Sequence, residues 1–150
     1  MHFTATFSMA DIEAEINKKV ELNKQAMITT MIRIGVLCVN EARDSTRFRY
    51  IDQTGNLTSS IGFMVLSDGV VVHKSAFPVV LEGEEGRTKG IAFLNSLIGE
   101  HSRGIVLVVV AGMKYASYVE AMNLVVLSTA ELLAERKVPE LLNQLGFKTI

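Results

Sequence analysis

The chain holds a single cysteine, Cys38. Alone it can form neither an internal disulfide nor a metal site, and its apolar neighbours mark it as an inert buried thiol. Nothing in the sequence therefore demands an oxidising compartment. Long hydrophobic runs are also missing. The most apolar stretch, Ile105 to Ala111, falls far short of the roughly 20 residues of a membrane helix. The opening residues Met1-His2-Phe3-Thr4-Ala5-Thr6-Phe7 contain no Lys or Arg and no apolar core, so no signal peptide is expected. An excess of one charge is lacking as well. With 15 basic and 16 acidic residues the net charge is −1, which excludes a strong general attraction to nucleic acid and leaves room only for a local patch. A soluble chain with no membrane partner is the expectation.

What is present is a chain of 150 residues, 49% hydrophobic and 21% charged, which fits one globular domain spanning 1–150. Phe3, Ala5 and Phe7 alternate with polar residues, so residues 1–8 are either a short strand or a loose extension. Ser8 is placed as a helix N-cap, with Asp11 as the reciprocal partner of a capping box. From Met9 to about Arg43 there is no proline and one glycine. Helical spacing predicts one helix there, about 50 Å long at 1.5 Å per residue. Ile12, Ile16 and Val20 form a single stripe in its charged first half. Residues 27–39 are apolar on nearly every side, which predicts burial all round. The first half either projects and packs on another chain or folds back along its own sheet.

Residues 44–60 are polar and read as a long loop. A strand from Ser60 to Leu66, the Asp68-Gly69 turn and Val70-Val71-Val72 make a hairpin. Residues 77–81 read as a short extended edge beside Pro78. Residues 82–86 read as a flexible acidic turn, and Thr88 to Gly99 as a helix with Ile91, Leu94, Leu97 and Ile98 on one face. The β-branched run from Ile105 to Val110 predicts a buried strand, and Val125-Val126-Leu127 a final one. Ser128 and Glu131 form a capping box for a C-terminal helix that Gly146 stops and Pro139 kinks or splits. The predicted class is α+β: a long N-terminal helix on a mostly antiparallel sheet, with a short middle helix and a C-terminal helix.

Catalytic signatures are weak. His2, His73 and His101 lack ligand partners at metal spacing. Residues 83–90 resemble a phosphate loop but break its glycine–lysine spacing, and two glutamates stand where anions would bind. Asp52-Gln53-Thr54-Gly55 is an interrupted Asp-Thr-Gly with no second aspartate to complete a dyad. Glu120 beside Tyr115 and Tyr118 is either an acid with partners or an ordinary exposed strand end. Arg43, Arg47 and Arg49, interleaved with Phe48 and Tyr50, are either a solvated loop or an interface to an acidic neighbour or to passing DNA. No catalytic residue, metal or cofactor is expected.

Two stretches carry a resemblance. Asp52-Gln53-Thr54-Gly55-Asn56-Leu57-Thr58-Ser59-Ser60-Ile61 resembles the Asp-x-Thr-Gly-Asn-Leu-x-x-Ser-Ile segment of phage neck and minor tail-component proteins. Tyr115-Ala116-Ser117-Tyr118-Val119-Glu120 resembles that family's Tyr-Ala-x-x-Val-Glu. The order of elements also agrees from about Asp11 to Gly146. The chain departs in having Ala121-Met122-Asn123 where the family often has glycine, and in a longer segment from Gly83 to Arg103. The resemblance implies a non-enzymatic virion protein of a phage or prophage, acting at the head–tail junction or tail end. It implies self-association into a ring, other connector or tail proteins as partners, and DNA only as passage through the ring. The chain would be made in the bacterial host cytoplasm and end in the virion neck or tail. Alternatives are a non-viral interaction module of similar fold and a small hydrolase. On the residues themselves, Asp52 is suited to accept from backbone amides, Gly55 to supply positive φ, and Leu57 and Ile61 to anchor the segment. Ile12, Ile16, Val20 and the three arginines are the candidate interface.

Overall fold

The computed structural model describes residues 1–44, 50–122 and 124–148. Helix α1 spans Met9–Arg43 and starts as its sequence predicts. The Ser8 side chain accepts the Asp11 amide, while the Asp11 carboxylate accepts the Ser8 amide at 2.9 Å. Residues 1–8 are exposed and form no strand within the chain.

Three strands follow: β1 (Ile61–Ser67), β2 (Val70–Lys74) and β3 (Ile105–Ala111), in the order β2-β1-β3, all antiparallel. The β1–β2 turn has Asp68 at φ 50° and Gly69 at φ 83°, the backbone an Asp-Gly hairpin requires. Every residue of β1 is buried. Its alternation assigns the two faces. Ile61, Phe63 and Val65 meet Ile34, Cys38 and Ala42 of α1. Met64 and Leu66 meet Leu94 of α3 (Glu84–Ser96), which covers the opposite face. A 3₁₀ turn, Ile98–Glu100, links α3 to β3. Helices α4 (Ala116–Ala121) and α5 (Ser128–Gln144) complete the chain, α5 lying against α1.

The α+β class holds, but several elements differ from expectation. Burial along residues 27–39 is one-sided: Ile28, Met31, Ile34, Cys38 and Val39 are buried, while Arg33, Val36 and Leu37 are exposed. The sheet covers only one side of α1, so apolar character all round is not matched by cover all round. Residues 77–81 form no strand; Phe77 is buried as a core plug, and Leu81 has φ 53°. The supposed acidic turn is the first turn of α3, where Glu84 and Glu85 suit the positive helix end. Strand β3 sits at a sheet edge, and of its residues only Val110 is fully buried. Val126 and Leu127 form no strand, and Val125 makes only an isolated bridge.

Helix α5 runs through Pro139 without splitting. The carbonyl that Pro139 leaves without an amide belongs to Glu135, an exposed residue that water can reach. Leu133 before the proline and Leu141 after it both pack on the α1 core and hold the two halves in line. Gly146 (φ 89°) then ends the helix, with Phe147 donating back to the Leu142 carbonyl at 3.0 Å.

Candidate functional site

The two stretches singled out in the sequence meet in space. Of the expected loop over residues 44–60, the described part from residue 50 is not unstructured. Residues 56–59 form a short helix, α2 (Asn56–Ser59), and Leu57, Ser59 and Ser60 are buried. Polar composition suggested a loop, but the polar atoms are spent inside the chain. Asp52 accepts the Thr58 amide at 2.7 Å and the Leu57 amide at 3.4 Å, capping α2. The Thr54 hydroxyl accepts the Asn56 amide, and the Thr54 carbonyl accepts the Glu82 amide. Gly55 has φ 75°, and a Cβ there would lie 1.9 Å from the Val80 carbonyl oxygen. The Asn56 side-chain oxygen accepts the Gly86 amide at 2.9 Å. The Ser60 hydroxyl donates to the Leu57 carbonyl, and the Ser60 carbonyl accepts the Gly112 amide. Leu57 and Ile61 are sealed in the core.

The second stretch lies on α4, not on a strand. Ala116 is buried with Tyr50, Leu57, Met113 and Val126, and Val119 packs against them. Tyr50, read with the arginines as part of either a solvated loop or an interface, is instead a core residue whose hydroxyl lies 3.4 Å from that of Thr58. Glu120 is half-buried and accepts the Leu127 amide at 3.0 Å and the Ser128 amide at 2.8 Å. It thereby caps α5, which begins at Ser128 with Leu127 in the N-cap position and not with Ser128 there as the expected capping box requires. Burial pushes the Glu120 carboxyl up, but bonds from the Ser128 side chain and from the amides of Leu127, Ser128 and Val126 outweigh it. The group is held below the ordinary carboxylate value.

A carboxyl with a depressed folded pKa stabilises fully above its unfolded value, about 4.3, and that contribution fades as pH falls through the folded value. Glu120→Ala should therefore cost about 1 kcal/mol near neutral pH, the usual worth of a cap. The gap to wild type should narrow as pH falls below that unfolded value and through the depressed folded one. Urea midpoints measured across that range check it; a gap that stays constant with pH would rule out the capping role.

Between the two stretches lies a cleft of about 230 Å³, lined by Tyr50, Asp52, Thr54, Leu57, Tyr115 and Val119. Ligand pockets start near about 300 Å³. Partial burial raises the Tyr115 phenol above its ordinary value, with the nearby charges of Asp52 and Glu85 adding to it, so it stays neutral and offers no base. Among the described residues no group of three or more His, Cys, Asp or Glu side chains is placed to hold a metal ion. His73 stacks on Phe63, ring centroids 5.4 Å apart. Burial pushes the Cys38 thiol up, and the thiol donates to the Ala130 carbonyl.

The candidate interface residues are spread. Arg43 is half-buried and donates to the Pro78 carbonyl at 2.8 Å, fastening the end of α1 to the segment that carries Phe77. Arg47 and Arg49, with Phe48, lie outside the described residues. Ile12, Ile16 and Val20 are exposed at 37%, 56% and 58%. All residues from 1 to 23 are exposed, and Lys24 pairs with Asp68 of the hairpin turn at 2.9 Å. The first half of α1 therefore projects and does not fold back along its sheet. No described helix is long and apolar enough to cross a membrane.

Comparison with protein-family models, with curated proteins and with solved structures finds no match for this chain.

Proposed function

We propose that the chain is a non-enzymatic structural subunit of a phage or prophage virion. It would act at the head–tail junction or tail end, as a neck or tail-completion protein, by assembling into a ring. The observation that carries this reading is the use made of the two signature stretches. Asp52, Thr54, Asn56, Ser60 and Glu120 all direct polar atoms at backbone groups, so the signatures build a scaffold and leave no reactive constellation exposed. Support also comes from the projecting half-helix, whose apolar stripe the chain does not cover itself. A ring repeats one heterologous contact until it closes, and such a stripe is suited to that contact.

Electron microscopy of the purified protein, alone and with a phage connector, tests the proposal. Closed rings, or a ring added to the connector, are the expected result. A monomer that ignores the connector would overturn it.

A further inference from the structure

The two edges of the sheet are treated differently. Strand β2 is short, ends in His73-Lys74, and meets β1 through a register shift between Val65 and Leu66. A lysine, a bulge and short length are the usual means of blocking strand addition. Strand β3 is Ile-Val-Leu-Val-Val-Val-Ala, with no charge, proline or glycine, and among the described residues no strand pairs along its second edge. Its composition is that of an interior strand, and its position is that of an edge. That mismatch calls for a further strand.

The space beside β3 has a shape. On the α3 side an apolar groove of about 760 Å³ runs over Val109, Val110 and Met113 between Phe93 and Leu127. On the α5 side a smaller cavity of about 320 Å³ is lined by Cys38, Leu107, Ala130 and Glu131. An added strand sends alternate side chains to the two faces. The chain contains a segment of that pattern. As a strand it would turn Phe3, Ala5 and Phe7 one way, and His2, Thr4 and Thr6 the other. Phe3 and Phe7 are 90% and 68% exposed, and Ser8 is still extended at φ −92°, ψ 160°.

We infer that residues 2–7 of a second copy of this chain add to the free edge of β3 as a strand. Phe3 and Phe7 fill the large groove, and Thr4 and Thr6 face the small cavity. The inference rests on the self-association proposed above and names its contact. Charge sets the direction. Asp11, Glu13 and Glu15 follow the segment with no basic residue among them, and Lys114 lines the groove at the Ala111 end of β3, where Lys89 is already paired with Glu85. A strand parallel to β3 brings that acidic start of α1 to Lys114. The contact joins different surfaces on the two copies, as a ring requires.

The test uses the full chain and the variant F3S/F7S, whose substitutions lie in exposed residues. Assembly should protect the β3 amides from hydrogen exchange. F3S/F7S should raise the dissociation constant by about 100-fold or more, each aromatic anchor carrying at least about a tenfold share. A synthetic peptide of residues 1–10 should bind the F3S/F7S monomer and protect the same amides. If F3S/F7S assembles as well as wild type, or if β3 protection survives in it because two β3 edges pair, the inference is overturned. Failure of the peptide to bind overturns it too. Peptide binding is read on a monomer, so binding without rings would sink the ring and keep the contact. Rings without binding would do the reverse.

Discussion

Gly86→Ala should destabilise the protein by about 3 kcal/mol or more, a loss at the upper end for overpacking by one methyl group. A Cβ at Gly86 would lie 1.9 Å from the Asn56 carbonyl oxygen and 2.6 Å from the Asn56 Cα. Both are backbone atoms, and rotamer changes cannot relieve the clash. The Asn56 side chain is meanwhile bonded to the Gly86 amide, so separating the helices also breaks a partly buried hydrogen bond. Helix α3 would have to lift from α2, and α2 is the segment that Asp52 caps and Leu57 anchors. The control is Gly99→Ala. Gly99 meets nothing within 4 Å, and the substitution should be neutral or stabilise by up to about 1 kcal/mol through the unfolded chain. Thermal and urea unfolding of the two variants side by side reads the difference. Equal midpoints would mean that α3 does not pack on α2 as described.

That glycine explains why part of this region was illegible in the sequence. Gly83, Gly86 and Gly90 interleaved with glutamates look like a turn or a failed phosphate loop when only neighbouring residues are considered. Their purpose is close approach to Ser59 and Gly55, to Asn56 and to Ser60 respectively, all distant along the chain, and spacing alone carries no sign of it. The same reason hides the roles of Tyr50 and Glu120. Each is polar or aromatic in a polar stretch, and each is used by a partner brought near only by folding: Met113 and Ala116 for Tyr50, the start of α5 for Glu120. The capping box at Ser128 was a local signal overridden by that tertiary carboxylate. By contrast, α1 and the β1–β2 hairpin were legible to within a residue or two, because their signals are local. A capping box, absence of proline and four-residue apolar spacing define the first. Asp68-Gly69 between apolar runs defines the second. Strand β3 is the instructive middle case. Its β-branched run identified the strand, but composition carries no sign of its edge position, where of its residues only Val110 is fully buried.

Ile12→Glu with Ile16→Glu should shift an assembled protein towards monomers, raising the dissociation constant by about 100-fold or more, while leaving the fold intact. The fold should survive because both residues lie in the projecting half of α1, where every residue up to Asn23 is exposed and substitutions usually change stability by no more than about 0.5 kcal/mol. Assembly should suffer because the stripe has nothing to rest on within its own chain. Burying such a side chain stabilises by roughly 1.5–3 kcal/mol relative to leaving it wet, and two carboxylates in its place must either be desolvated or hold the surfaces apart. The contact differs from that of Phe3 and Phe7 in kind: the stripe is a helical face, and its partner surface need not be a sheet edge. Light scattering over a concentration series reads the association, with circular dichroism as the control for helix content. Loss of helix together with loss of assembly would assign the stripe to folding and not to contact. Should wild type stay monomeric at high concentration, the same pair of proteins can be offered to a preformed connector, since a neck subunit can depend on that template to assemble. Binding by wild type and not by the variant would then carry the argument. Equal behaviour of the two on the connector would remove the half-helix from the interface.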